Sequence, residues 1–307
     1  MTERKIPKRK QNIPVIIAVL GVVGVLAGFS RLPRPPAGEA SRLAGHFKLD
    51  WKNLPPAPMP PGGVVFPIIE KAKHFEYYLT MIGASAALGD LDGDGLPNDL
   101  CLTDVRAKSI TVGPAPGTGD RYARFSLDFG PAFDRRTAHP SVCRIADMNE
   151  DGLADLFVAF WGRPPVLLLR RAPENLKPGA PLSMASFKVQ ELTSDPTQRW
   201  WSSTATFADI DGDGHQDLIL GNYAADGSQI FVTDNSPGHL EMPEDFTRAR
   251  NGGLSRIFLY AGSKSGADPS VNYQEAHDVF PGDGAHAWTL AVGAADLDRD
   301  GLSDLYV

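Results

Sequence analysis

Four short acidic stretches recur along the chain, and they limit the folds available to it more than any other feature. The third, residues 209–217, places aspartates at positions 1, 3, 5 and 9 and a glycine at position 6. A hard divalent cation such as calcium takes about six to eight oxygen ligands, which alternate side chains of a tight loop can supply. Gly214 permits the sharp turn, and the carbonyl of His215 can add another oxygen. The stretch therefore predicts a cation-binding loop.

Residues 147–155 and 296–304 keep the same spacing, whereas the first copy departs from it. That copy begins at Asp90, and a proline interrupts it after the glycine. Either Asn98 is its ninth-position ligand, or the loop is one residue longer and Asp99 takes that place. An acidic turn that binds nothing is the alternative interpretation, and it applies best to the first copy. The candidate metal ligands are Asp90, Asp92, Asp94, Asn98, Asp99, Asp147, Asn149, Asp151, Asp155, Asp209, Asp211, Asp213, Asp217, Asp296, Asp298, Asp300 and Asp304.

The flanking residues argue against an EF-hand, whose loop needs a bidentate glutamate at position 12 and a helix on each side. Position 12 is occupied by Cys101, Val158, Leu220 and Val307. Short β-prone runs follow the loops, for example Leu156–Phe160, and Ala205–Ala208 and Val292–Ala295 precede two of them. Each stretch is therefore expected to connect the two strands of a β-hairpin while holding a cation.

Composition and charge favour a turn-rich protein that does not bind nucleic acid. The chain has 26 prolines and 31 glycines, as an all-β repeat fold with many turns would need. Its formal net charge is −7. Five basic residues and one acid give residues 1–10 a charge of +4, so the remainder carries −11. An acidic body argues against a nucleic-acid partner.

The chain has two cysteines, Cys101 and Cys143, which is too few for a disulfide-dense scaffold or a zinc site. One follows the first loop and the other precedes the second, so neighbouring repeats could bring them together. The favoured interpretation is that they are two separate small core residues.

The N-terminus has the features of an export signal or membrane anchor. A basic segment, residues 1–12, precedes an uncharged run of 17 apolar or glycine residues at 13–29. As a helix this run is roughly 25 Å long, barely enough to cross a bilayer core. The basic flank predicts that residues 1–12 stay in the cytoplasm and the rest is exported. Residues 13–30 then form either an uncleaved signal anchor, which is favoured, or a cleaved signal peptide.

The repeats follow a proline-rich segment, residues 31–62, which is expected to be a semi-rigid linker with a short ordered piece at Leu43–Trp51. Within residues 63–307 the four loops begin at 90, 147, 209 and 296, so the steps are 57, 62 and 87 residues. A period near 60 with several short strands is typical of propeller blades. The expected fold class is all-β, a β-propeller of four-stranded blades after an N-terminal transmembrane or signal helix.

The second repeat shows the blade pattern best. Its expected strands are Val142–Ala146, Leu156–Phe160, Val166–Arg170 and Phe187–Leu192, and the first repeat adds Ile110–Val112 and Ala123–Phe129. The third repeat is longer by 25 residues (87 against 62), with a surface excursion expected between Tyr223 and Leu254 and a strand at Arg256–Tyr260. Val307 falls within the fourth blade, so about three and a half blades are expected here. A truncated chain or assembly with another chain would account for this.

The pattern Asp-x-Asp-x-Asp-Gly-x-x-Asp-Leu between two strands resembles the FG-GAP/VCBS repeat of integrin α-subunit-type propellers. Residues 89–99 further resemble bacterial relatives of cartilage acidic protein, which usually carry a C-terminal ASPIC/UnbV-type domain. The resemblance covers about residues 80–307. It implies a seven-bladed propeller with calcium between the first two strands of a blade. The sequence departs from the family by lacking the remaining blades and the C-terminal domain.

A second candidate site lies at the ends of the strands opposite the loops. Eight residues before each first aspartate stand Ile82, His139, Trp201 and Trp288, with Arg199, Trp200 and His286 nearby. Exposed aromatic side chains with arginine and histidine suit contact with a protein or carbohydrate. The favoured alternative is that the tryptophans pack between blades. The hypothetical ligand-binding residues are His139, Arg199, Trp200, Trp201, His286 and Trp288.

The expected function is that of a non-enzymatic interaction module stabilised by Ca²⁺, located in the periplasm or at the cell surface, or secreted if the N-terminus is cleaved. Loops fully coordinated by protein leave no open position for an activated water, so the metals are expected to be structural. The alternative is an extracytoplasmic propeller enzyme, of lyase, hydrolase or dehydrogenase type, acting on a carbohydrate or small molecule. The sequence contains no nucleophile elbow, zinc-protease motif or phosphate loop.

Overall fold

The computed structural model describes residues 21–22, 36–46, 50–54, 73, 85–105, 107–231, 240, 242–245, 248–280 and 282–307. The basic segment and the apolar run at 13–30 lie outside these residues, apart from Gly21 and Val22, which are helical. Among the described helices, none has the length and apolar character needed to cross a bilayer. The chain divides into two compact units, Met1–Lys52 and Asn53–Val307.

In the first unit, helix α1 spans Ala37–Ala44 inside the segment expected to be an extended linker. The ordered piece expected at Leu43–Trp51 overlaps only its end. Pro36 stands at the N-cap, and its carbonyl accepts the first helical hydrogen bonds, so its fixed φ does not interrupt the helix. Glu39 in the first turn and Arg42 in the last complement the helix dipole. Proline content alone therefore does not predict that part of this segment is helical.

The second unit is built from antiparallel strands in sequence order. Sheet A contains β1 (Ala86–Gly89), β2 (Asp99–Asp104), β3 (Ser109–Pro114) and β4 (Phe125–Ser126). Sheet B contains β5 (His139–Ala146), β6 (Asp155–Trp161), β7 (Val166–Arg170) and β8 (Phe187–Glu191). Sheet C contains β9 (Ser202–Ala208), β10 (Asp217–Asn222), β11 (Arg256–Lys264) and β12 (Ser270–Ala276). Hairpin D contains β13 (Gly293–Ala295) and β14 (Asp304–Tyr306). The described fold is therefore all-β, with 3-10 turns at Met184–Ser186 and Gly284–His286.

Each acidic stretch joins the first and second strands of its sheet. We refer to residues 90–99, 147–155, 209–217 and 296–304 as loops 1 to 4. The last aspartate of each loop is the first residue of the second strand and pairs with the residue just before the first aspartate. The hairpin placement expected from the sequence is confirmed for all four loops.

Sheet B is packed on both faces. Leu156 and Val158 join Ile110 in the core between sheets A and B. Phe157 joins Leu218 in the core between sheets B and C. Every residue of β6 is buried, which explains why this strand reads as a continuous apolar run rather than an alternating one.

The first strands of the successive sheets are in contact, β1 with β5, β5 with β9 and β9 with β13. Loop 1 also contacts the connection between β7 and β8 of the following sheet, and loop 2 contacts strand β11 of the following sheet. The Gly179 amide donates to the carbonyl of Asp92 at 2.9 Å, and the Ser263 hydroxyl donates to the carbonyl of Asn149 at 2.6 Å. Loops 1 and 2 therefore each form a hydrogen bond with the sheet that follows their own.

Cys101 and Cys143 form a disulfide that joins β2 to β5, with their Cα atoms 6.4 Å apart. The favoured interpretation of two separate core residues was wrong. The packing of sheets A and B brings both side chains into one core, where each is fully buried. Sequence spacing could not decide this, because the pairing depends on how the two sheets pack.

Candidate metal centres

The first aspartate of each loop accepts hydrogen bonds from the backbone of its own loop. In loop 3, Asp209 Oδ1 accepts the amide of Gly212 at 2.7 Å, and its Oδ2 accepts the amide of Gly214 at 3.0 Å. The equivalent acceptors in the other loops are Asp90, Asp147 and Asp296. This carboxylate therefore holds the loop closed around its centre.

Two positions of every loop have left-handed backbone. Position 6 is always glycine, with φ of 89° at Gly95 and Gly214, 83° at Gly152 and 91° at Gly301. Position 4 is also left-handed, with φ of 75° at Gly93, 56° at Glu150, 77° at Gly212 and 69° at Arg299. The sequence argument found position 6 only. Glycine in two of the four copies was the available signal for position 4.

The aspartates at positions 3 and 5 use one oxygen each to stabilise the turn. Asp211 Oδ1 accepts the amide of Asp213 at 3.2 Å, and Asp213 Oδ1 accepts the amide of His215 at 2.8 Å. Carboxylate oxygens converge within 4.8 Å of one another in three sets, Asp90 with Asp92 and Asp94, Asp209 with Asp211 and Asp217, and Asp296 with Asp298 and Asp300. Such a cluster of oxygens is what a hard cation requires.

In loops 2 and 3 the last aspartate connects its hairpin to the third strand of the sheet. Asp217 is fully buried, with Oδ2 accepting the amide of Ile210 at 2.9 Å and Oδ1 accepting the amide of Tyr260 on β11 at 2.9 Å. Asp155 does the same for the amides of Met148 and Arg170. The sequence analysis treated this residue only as a ligand and missed its structural role.

Asp99 takes the corresponding position in loop 1 at the start of β2, so this loop is one residue longer than the other three. Asp99 Oδ2 accepts the amides of Leu91 and Asp92 at 2.7 and 3.0 Å. Asn98 instead donates from its side chain to Asp94 Oδ2 at 3.1 Å. The side chain of Arg121 also contacts the carboxylates of this loop.

Burial and mutual repulsion disfavour the charged carboxylates. Burial raises the pKa of Asp155 to about 7; the charges of Asp151 and Asp147 also raise it, against the lowering effect of its backbone hydrogen bonds. Burial likewise raises the pKa values of Asp147 and Asp217. A bound cation would favour the ionised forms and reverse these shifts.

Loop 2 offers a further sign of fit to a cation. Asn149 is buried, and its Oδ1 has no hydrogen-bond partner among the residues that the structure describes. Its Nδ2 donates to Asp151 Oδ2 at 3.1 Å, which places the amide beside the loop carboxylates. An unsatisfied buried oxygen costs stability, and a cation would satisfy it. Asp147, Asn149, Asp151 and Asp155 would hold the ion in this loop.

The hypothetical ligand-binding residues occupy different environments. His139, Trp200 and Trp201 are buried, Arg199 and Trp288 are half-buried, and His286 is exposed. Trp200 packs in the core between sheets B and C, beneath the guanidinium of Arg256 at 3.9 Å. The next residue, Trp201, belongs to a different hydrophobic cluster, so the two tryptophan side chains are separated.

An aromatic cluster at the strand ends opposite the loops brings three of these residues together. Phe231 contacts both His139 and Trp201, with ring centroids 4.2 and 5.4 Å away, and Tyr223 contacts Trp288 at 4.8 Å. Phe231 is buried, so this part of the excursion between β10 and β11 does not lie on the surface as expected. The sequence analysis missed Tyr223 and Phe231, and a cavity of about 410 Å³ lies beside Tyr223 and Trp288.

Comparison with known protein families gives one result that agrees with this geometry. The family model for an FG-GAP-like repeat matches residues 147–220, from the first aspartate of loop 2 to strand β10. Comparison with curated proteins finds no match. The resemblance to relatives of cartilage acidic protein stays an expectation. The matched segment contains loops 2 and 3 and strands β6 to β9, and over these residues the chain is similar to the FG-GAP-like repeat.

Proposed function

We propose that the chain is an extracytoplasmic β-propeller-type module that contacts protein or carbohydrate and binds Ca²⁺ structurally in its loops. The observation that carries this proposal is the repetition of one loop geometry between the first two strands of each sheet. The backbone of each loop uses some carboxylate oxygens, and in loops 1, 3 and 4 carboxylate oxygens converge on one centre. The metal would neutralise repelling carboxylates and hold the hairpins that bind it closed.

The arrangement of the sheets supports propeller architecture. Three four-stranded meanders of described residues follow one another, and their first strands contact in succession. Blades of a propeller place their first strands around a central axis in this order and pack their faces together. The two cores on either face of sheet B fit that packing.

The disulfide supports a location outside the cytoplasm. Disulfides persist in oxidising compartments and are rare in reducing ones, and Cys101–Cys143 is buried in the core. Together with the basic and apolar N-terminal segments, it favours a propeller that is exported and either anchored in the membrane or released.

The surface opposite the loops is the proposed site of contact with a partner. Trp288, Arg250 and Asp245 line the 410 Å³ cavity beside Tyr223, so aromatic faces and charged groups of both signs are available together. His286, which is close to Trp288 in the sequence, is exposed. Aromatic and arginine side chains are enriched where proteins bind partners.

A binding role is proposed in preference to an enzymatic one. Among the described residues, the carboxyl groups with raised pKa values are Asp92, Asp147, Asp155 and Asp217. All four belong to the loops, and none lies at the aromatic end. Perturbed pKa values mark candidate catalytic groups, but here burial within the acidic loops is the main cause of the shifts.

Thermal unfolding of the full chain with calcium and with a chelator tests the proposal. Binding to the folded state alone stabilises it by about 2.7 kcal/mol per site at a hundredfold excess over Kd, so calcium should raise Tm by several degrees. The double variant Asp211→Asn, Asp213→Asn should lose part of that rise, and the exposed Glu174→Gln should keep it. Equal melting temperatures in both buffers would contradict a calcium-stabilised fold.

A further inference from the structure

Loop 1 differs from the other loops because a cationic side chain reaches its carboxylates. Arg121, in the connection between β3 and β4, directs Nη1 at Asp92 Oδ2 and lies 3.0 Å from Asp94 Oδ2. Its Nη2 donates to Asp99 Oδ1 at 2.6 Å and to the carbonyl of Asn98 at 2.9 Å. One guanidinium therefore bridges three carboxylates and a backbone oxygen.

The carboxylate oxygens that contact Arg121 are those that accept no backbone amide from loop 1. Asp92 Oδ1 and Asp94 Oδ1 accept amides of their own turn, which leaves the two Oδ2 atoms facing the centre. In loop 3 the Oδ1 atoms of Asp211 and Asp213 are used in the same way. Within the described part of the chain, no arginine or lysine forms a salt bridge with those aspartates.

Asp99 also differs from its counterparts. Asp155 and Asp217 each use Oδ1 to accept a backbone amide from the third strand of the sheet. Asp99 Oδ1 instead accepts the Tyr122 hydroxyl at 2.7 Å and the guanidinium of Arg121. In loop 1, side-chain donors from Arg121 and Tyr122 therefore replace the backbone amide that the last aspartate accepts in sheets B and C.

A guanidinium and a divalent ion cannot share this centre. Arginine stays charged under all relevant conditions, and its fixed fork of donors suits several carboxylates at once. A divalent ion within a few ångströms would be repelled by it and would have to displace its hydrogen bonds. We propose that Arg121 is the resident cation of loop 1, so that this loop is ordered without calcium while the other three depend on it.

Hydrogen exchange of individual loop amides in the full chain tests this assignment. In loop 1 the reporters are the amides of Gly93 and Gly95, and in loop 3 they are those of Gly212 and Gly214, which make equivalent bonds. A chelator should reduce protection in loop 3 by about tenfold or more and in loop 1 by less than about twofold. Equal loss of protection in the two loops would overturn the assignment.

The variant Arg121→Gln supplies a second measurement in the chelator buffer. Its loop 1 amides should lose about tenfold or more of their protection. The control Arg136→Gln, which removes an exposed arginine paired with Asp134, should lose none. Unchanged protection in Arg121→Gln would overturn the assignment, and if that variant does not fold, the comparison of loops in the unaltered chain decides.

The calcium dependence of loop 3 rests on the proposed function, whereas the role of Arg121 does not. If loop 3 is insensitive to calcium but loop 1 needs Arg121, the calcium proposal fails and the arginine assignment holds. If removal of calcium affects loop 3 and loop 1 equally, the calcium proposal holds and the arginine assignment fails.

Discussion

Asp217 accepts structural hydrogen bonds in addition to being a candidate metal ligand. Single substitutions can distinguish it in this respect from its neighbours in loop 3. Its two oxygens satisfy buried amides on β11 and within loop 3, while Asp213 is exposed and uses one oxygen for a turn. A buried amide left without an acceptor costs about 1–3 kcal/mol, independently of any metal. The last aspartate of a loop should therefore matter even when calcium is absent.

We expect Asp217→Asn to lower the free energy of unfolding by about 1–3 kcal/mol both with calcium and with a chelator. Asp213→Asn keeps an oxygen for the amide of His215, so it should differ from the unaltered chain only when calcium is present. Denaturant unfolding of both variants in both buffers measures this. A chelator that removes the effect of Asp217→Asn would show that the residue acts only as a ligand.

Buried His139 provides a prediction of pH dependence. Burial, with a smaller effect from the charge of Lys108, lowers its pKa to about 3. The unfolded chain binds a proton near pH 6.5 and the folded chain does not, so this histidine reduces stability as the pH falls between those values. From pH 6.5 to 4.5 its contribution to this loss should be about 2 kcal/mol.

The variant His139→Phe should lose less stability than the unaltered chain over that interval, by this amount. Comparing the two pH profiles cancels the titration of the loop carboxylates, which both proteins share. Parallel profiles would mean that His139 is protonated equally readily in the folded and unfolded states.

At the scale of the strands, sheets A and B are joined covalently as well as by packing. The Cys101–Cys143 disulfide spans a sequence separation of 42, and closing a loop of that length stabilises a fold by about 4 kcal/mol in the chain-entropy estimate. The double variant Cys101→Ala, Cys143→Ala should lose stability of that order. Reduction should destabilise the unaltered chain and leave the variant unchanged, and a reductant without effect on either would argue against the bond.

The contact between the first strands of sheets A and B leaves little room at Gly89. A Cβ there would lie 2.7 Å from Ile145 Cγ2, whereas a Cβ at Gly293 would meet nothing within 4 Å. Gly89→Ala should therefore cost about 1–3 kcal/mol, and Gly293→Ala should be neutral or slightly stabilising. Denaturant unfolding compares them, and equal stabilities would contradict this packing of β1 against β5.

For the whole molecule, local sequence patterns anticipated the elements better than their packing. The strands of sheet B and the four hairpin loops follow from apolar runs beside acidic turns, because both are local properties. The disulfide, the buried position of Phe231 and the reach of Arg121 into loop 1 depend on contacts between distant segments. The aspartate spacing indicated a cation in loop 1 but could not reveal that an arginine 22 residues beyond Asp99 provides the charge.

Counting the calcium ions bound by the full chain at equilibrium tests the central claim most directly. The account predicts three ions, one each in loops 2, 3 and 4, because Arg121 occupies loop 1. Four ions would contradict the role of Arg121 while leaving the loops as calcium sites. No bound calcium would contradict the claim that these acidic loops are stabilised by a metal.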